Sequence, residues 1–225
     1  MDLRLVVGPS RLRDCAPMLK QSGEAFLFSD EAAEYYESLV AGAQVVAASF
    51  PFAAWAEPDD APLHLGRVDG QIISGLRWSA AQLAVSGEVS GEAPPGAGDW
   101  LFSDPVVAAT WDRGPEYVAN GGRGGAAPAI TGTERLGAFD HFLHHAGEPV
   151  IYSPADFAPV VRDNSAPGAV VLSAPRLIAE VRYLAAVLNI DPAADGDDCG
   201  RGIHALLAAA EAATTAGAAL VSEYA

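Results

Sequence analysis

The sequence predicts a mixed α/β or α+β fold. Three observations carry that expectation. An Asp69-Gly70 pair between extended apolar runs signals a tight hairpin turn and an antiparallel-rich N-terminal half. Helix-like and strand-like segments then alternate through the second half, and an alanine-rich segment from Ile203 to Ser222 reads as a long C-terminal helix.

Taken in order, Leu3 to Val7 is a short apolar strand and Glu24 to Phe28 a second. Ser29 or Asp30 then caps a helix through about Ala41, with Asp30, Glu31 and Glu34 in the early turns, where the helix dipole favours acids. Gln44 to Phe50 is a compact apolar strand closed by Pro51. At Asp69-Gly70 a two-residue loop pairs Val68 with Gln71, Arg67 with Ile72 and Leu65 with Ser74. Period-2 alternation collects Leu63, Leu65, Ile72 and Leu76 on one core-facing side.

Residues 86–99 are rich in glycine and proline and read as a loop. Residues 1–225 form one domain on this reading, with a possible division into a sheet-rich 1–90 and a helix-rich 100–225 joined by that loop. A second glycine-rich stretch runs from Gly114 to Ala129. Thr131 and Glu134 make a capping-box pattern ahead of a helix to about Ala146, stopped at Gly147. Val150 to Tyr152 is a short strand. Ser153-Pro154 with Asp156 resembles a helix start, Gly168 to Ser173 is extended, and Pro175 opens a helix to about Ile190. Along that last helix Leu177, Val181, Leu184 and Leu188 form one apolar stripe.

Charge narrows the function. The 225 residues carry 13 Lys and Arg against 29 Asp and Glu, a formal net charge of −16. Nucleic-acid and anionic-membrane binding both need clustered cations, so both are disfavoured, whereas a basic protein partner fits. Leu3 to Val7 lacks the basic flank and cleavage site of a secretory signal, and Ile203 to Val221 is mostly alanine with polar interruptions. Cys15 and Cys199 lie far apart without a metal-binding spacing. The expected location is cytoplasmic.

Asp140-His141-Phe142-Leu143-His144-His145 holds the strongest chemical pattern. On a helical wheel with His141 at 0°, His145 falls near 40°, His144 near 300°, and the apolar Leu136, Phe139, Phe142 and Leu143 at about 100–220°. The imidazoles thus oppose the apolar stripe. His141 and His145, with Glu148 or Asp156 as third ligand, could hold Zn²⁺, and Asp140 and His144 could serve in catalysis. The alternative is a solvated helix face, and HExxH is absent. Arg123, among Gly121, Gly122, Gly124 and Gly125, is a candidate anion contact, although GxxxxGK[ST] and GxGxxG are both missing. Trp55 and Trp111 are candidate aromatic anchors. Asp191, Asp195, Asp197 and Asp198 do not meet the calcium-loop spacing, because position twelve falls on Leu206. Acids beside Cys199 oppose a reactive thiolate.

Two functions follow. The favoured one is a non-catalytic acidic protein that binds a basic protein partner, as an inhibitor, immunity factor or assembly component does, with no cofactor. The alternative is a metal-assisted hydrolase or transferase built on the His141–His145 face.

Overall fold

The structure is a computed structural model, described here for residues 2–14, 30–93, 104–112, 139–143, 149–158, 160–192 and 197–224. The expected strand Glu24 to Phe28, the glycine-rich stretch around Arg123, and the Thr131–Glu134 capping box lie outside the described residues.

Among the described residues, six strands form one sheet: β1 (Asp2–Val7), β2 (His64–Asp69), β3 (Val150–Ser153), β4 (Val161–Arg162), β5 (Val170–Ser173) and β6 (Leu220–Tyr224). Their spatial order is β2-β1-β6-β3-β5-β4. Only β3 and β5 run parallel; the other neighbours are antiparallel. Among the described residues, the α-helices are α1 (Asp30–Ala48), α2 (Gly70–Ser86), α3 (Pro105–Asp112), α4 (Asp140–Leu143), α5 (Ala174–Val187) and α6 (Asp198–Ala216). The mixed α/β expectation, with antiparallel pairing and a long helix near the C-terminal end, is what the chain adopts.

Alternating side chains send the strands into two cores, as a period of two requires. Leu3, Leu5, Val7, Val150, Tyr152, Leu172 and Leu220 face a layer that includes α2, α5 and α6. Val6, Ile151, Val171 and Val221 face α1 on the opposite side. The sheet is therefore sandwiched between helical layers, with both faces dry at its centre.

Four local expectations change. The chain makes no hairpin at Asp69-Gly70. Asp69 ends β2 with φ −59° and ψ 124°, and its Oδ1 accepts the Gln71 N–H at 2.8 Å, so it caps α2. An aspartate at a strand end suits a primed turn or a helix cap equally; the buried Ile73, Leu76, Ala80 and Leu83 that follow keep helical spacing. The antiparallel partner of β2 is β1, with Leu5 opposite Gly66.

Gln44 to Phe50 is not a strand. Ala43, Val46, Ala47 and Phe50 continue the buried stripe begun by Ala33, Tyr36, Leu39 and Val40, and α1 runs on to Ala48. Packing along the helix outweighs the strand preference of Val45-Val46. Ser153-Pro154 opens no helix either: Ser153 Oγ accepts the Ala155 N–H at 3.1 Å in a local turn, and the chain proceeds to β4. The similar Ser173-Ala174-Pro175 does start α5, because Leu177, Val181 and Leu184 supply a buried stripe behind it.

The last correction concerns the alanine-rich end. Gly217, at φ +64°, adopts the left-handed conformation that terminates α6, and Leu220–Tyr224 then enters the sheet between β1 and β3. Alanine favours helix without excluding a buried strand, so composition alone hid this element. At Gly202, a Cβ would come within 2.6 Å of Ile72 Cγ2, so glycine sets how closely α6 approaches α2.

Candidate acidic interface

Most arginines of the described surface are paired with carboxylates. Arg13 Nε lies 2.9 Å from Glu37 Oε1, and its Nη2 lies 3.5 Å from Glu34 Oε1. Arg11 meets Asp14 at 3.1 Å, Arg176 meets Asp156 at 2.7 Å, and Arg182 meets Glu211 at 2.7 Å. Arg67 pairs with Asp2 and Arg201 with Asp198. Exposed pairs of this kind contribute only about 0–1 kcal/mol each to stability. Their larger effect is on the surface field, since each cancels a cation.

The surplus is negative. Glu31, Asp59, Asp60, Glu88 and Glu92 are exposed and form no ion pair among the described residues. Other acids have structural duties. Asp104 Oδ1 accepts the Val106 and Val107 N–H groups at 2.8 and 3.1 Å, and Asp197 Oδ1 accepts that of Gly200, so these two cap α3 and α6. Glu57 accepts from the Ser10 hydroxyl at 2.7 Å and the Ala219 N–H at 2.8 Å. Ser165 donates its N–H and hydroxyl to Asp163 Oδ1 at 2.8 and 2.6 Å, which holds that carboxyl below its ordinary pKa.

Glu223 anchors α1 to the sheet. Tyr36 donates its hydroxyl to Glu223 Oε1, Tyr35 donates to Oε2 at 3.3 Å, and Arg4 Nη1 lies 3.6 Å away. Burial and the Glu223 carboxylate together push the Tyr36 phenol well above its usual range. This cluster fixes the first half of α1, so its outer side is presented on a rigid support.

The histidine pattern divides. His144, His145 and Glu148 lie outside the described residues. His141 is buried rather than aligned with a polar face. Its Nδ1 accepts the Ser173 N–H at 2.9 Å, which leaves the proton on Nε2 to be donated to the Ala158 carbonyl, also at 2.9 Å. Neither ring nitrogen offers a lone pair to a metal. Segment 155–158 and β5 form the covering layer that the helical wheel could not reveal. Replacing His141 with alanine would strand the Ser173 donor and the Ala158 acceptor, with an expected loss of about 2–4 kcal/mol in urea unfolding.

Asp140, at the start of α4, lies partly buried near Glu180. Sequence reasoning missed Glu180, which is buried on α5 and accepts the His141 and Phe142 N–H groups at 3.2 and 2.8 Å. Its place beside Val181, between Leu177 and Leu184 on the apolar stripe, was the available signal. Arg77 was missed too: it is buried on α2, donates to the Tyr224 hydroxyl at 3.1 Å and stands 5.7 Å over the Phe142 ring. Trp55 is half-buried against the α1-side core with Leu63 and Leu65; Trp111 falls within α3, and Arg123 is outside the described residues. Burial and then Asp197 and Asp198 raise the Cys199 thiol, opposing thiolate chemistry.

Among the described residues, no group of three or more His, Cys, Asp or Glu side chains could hold a metal ion, and no helix is long and apolar enough to cross a membrane. The features in view are those of an acidic α/β protein that opposes its surface cations with carboxylates and exposes further carboxylates beyond them. The family model described as "Putative DNA-mimic protein" matches residues 1–222, and the chain belongs to that family. No curated protein and no solved structure matches it.

Proposed function

We propose that the protein binds the DNA-contacting surface of a basic protein and thereby keeps that partner off DNA. The observation that carries this reading is the net charge of −16, together with exposed carboxylates left after the surface arginines are paired. A partner evolved to meet phosphates presents Lys and Arg, and carboxylates can take the phosphates' place. The same field repels nucleic acid itself. Membership of a DNA-mimic family supports the reading, which needs no catalytic group or cofactor.

The test begins with the full chain immobilised as bait and bound proteins challenged with duplex DNA. Retained proteins should be released by the duplex, and in gel-shift assays the free chain should return their DNA to the unbound position. If every retained protein still binds its DNA normally while bound to the bait, the proposal fails.

A further inference from the structure

Resting on that reading, we infer that the outward face of α1 is the docking surface, and that it receives a basic helix carrying an apolar side chain among its Lys and Arg residues. The exposed positions of α1 form one stripe. Stepping by about 100° per residue, Glu31, Glu34, Tyr35, Ser38, Ala41 and Val45 fall within a single sector opposite the buried Tyr36, Val40, Ala43 and Ala47. From Glu31 to Val45 the stripe extends about 21 Å at ~1.5 Å per residue.

Its two ends differ chemically. At the first, Arg13 pairs with Glu34 and Glu37 while Glu31 forms no ion pair among the described residues, so these four side chains together are net negative. At the second, Val45 is 73% exposed, and Phe52, in the turn after the helix, is 39% exposed. Tyr35, at 42%, lies toward the acidic end. A surface that only imitated phosphates would gain nothing from holding such side chains in water; apolar anchors inside a charged rim are what a protein interface uses. The outer face of α5 differs. There Tyr183 stacks on Phe139 at 5.7 Å, and the adjoining Arg182–Glu211 pair is neutral. Charge complementarity therefore selects a cationic occupant for α1, and Val45 selects one with an apolar contact.

Two helical peptides of equal positive charge supply the probe: one with leucines on a single face, the other with serines in their place. Each is titrated at low salt into the ¹⁵N-labelled full chain. The leucine peptide should bind at least about tenfold tighter, with amide shifts concentrated between residues 31 and 52. Val45→Ser should remove most of that preference, and the Glu31→Gln/Glu34→Gln double variant should weaken both peptides; all these positions are exposed, and an unchanged Tm verifies the fold. Shifts confined to another face, or equal binding of the two peptides, would overturn this docking surface while leaving the proposed function intact. Failure of both peptides to bind would instead remove the proposed function, and this inference with it.

Discussion

Glu180→Ala should destabilise the fold by roughly 3–5 kcal/mol, read from the urea midpoint. The carboxyl is buried and holds two backbone donors, at His141 and Phe142, that have no access to water. Each orphaned buried donor costs about 1–3 kcal/mol, and loss of the side chain adds a small cavity. Glu180→Gln keeps one acceptor and the volume, so it should fold with a smaller penalty. The two variants separate packing from ionisation. Burial, and then Asp140, raise the Glu180 carboxyl well above its ordinary 4.5, against the opposing pull of the two N–H groups and Arg176. A raised folded-state value means stability is fully present below the unfolded value and declines as pH climbs toward the folded one. The slope in that window is about 1.4 kcal/mol per pH unit. Unfolding measured from pH 4 upward should show this decline in the wild type and its absence in Glu180→Gln; parallel profiles would disprove the assignment.

Raising ionic strength from about 0.02 to 0.5 M should slow association with the basic helical peptide by roughly 10- to 100-fold, with a smaller change in dissociation. Long-range attraction steers the encounter and is screened by salt, whereas contact at Val45 acts only after collision. Stopped-flow measurement distinguishes the two. An association rate insensitive to salt would mean that the exposed carboxylates do not guide approach.

Much of the architecture was legible where local and tertiary preferences agree. Ser173, Pro175 and the Leu177–Val181–Leu184 stripe all point to one helix, and α5 is that helix. The strand at Leu3 to Val7 is likewise apolar except at Arg4, whose guanidinium lies near Glu223, as a strand covered on both sides should mostly be. Legibility fails where one residue type serves two conformations. Asp69 suits a turn or a cap, and alanines 218–219 suit a helix or a buried strand entry; only distant partners, β1 and β3, decide between them. The histidine face failed for a different reason. A wheel reports direction around one axis, not what stands opposite, and Ser173 and Ala158 reach His141 from 32 and 17 residues away. The acidic surface was legible as a sum of charge, but not as a location. The sequence does not disclose that Arg13 would be held by Glu34 and Glu37 while Glu31 remained exposed.

The placement of β6 has a kinetic consequence. The strand synthesised last of the six occupies an interior position and joins β1, where Leu3 faces Tyr224, to β3. On the ribosome β1 and β2 can associate early, yet their union with the β3–β5 half waits until Leu220–Tyr224 has emerged. Closing so long a loop is entropically slow, so maturation should be late and nearly all-or-none, with the unfinished chain exposing the apolar edge of β1 to chaperones in the interval.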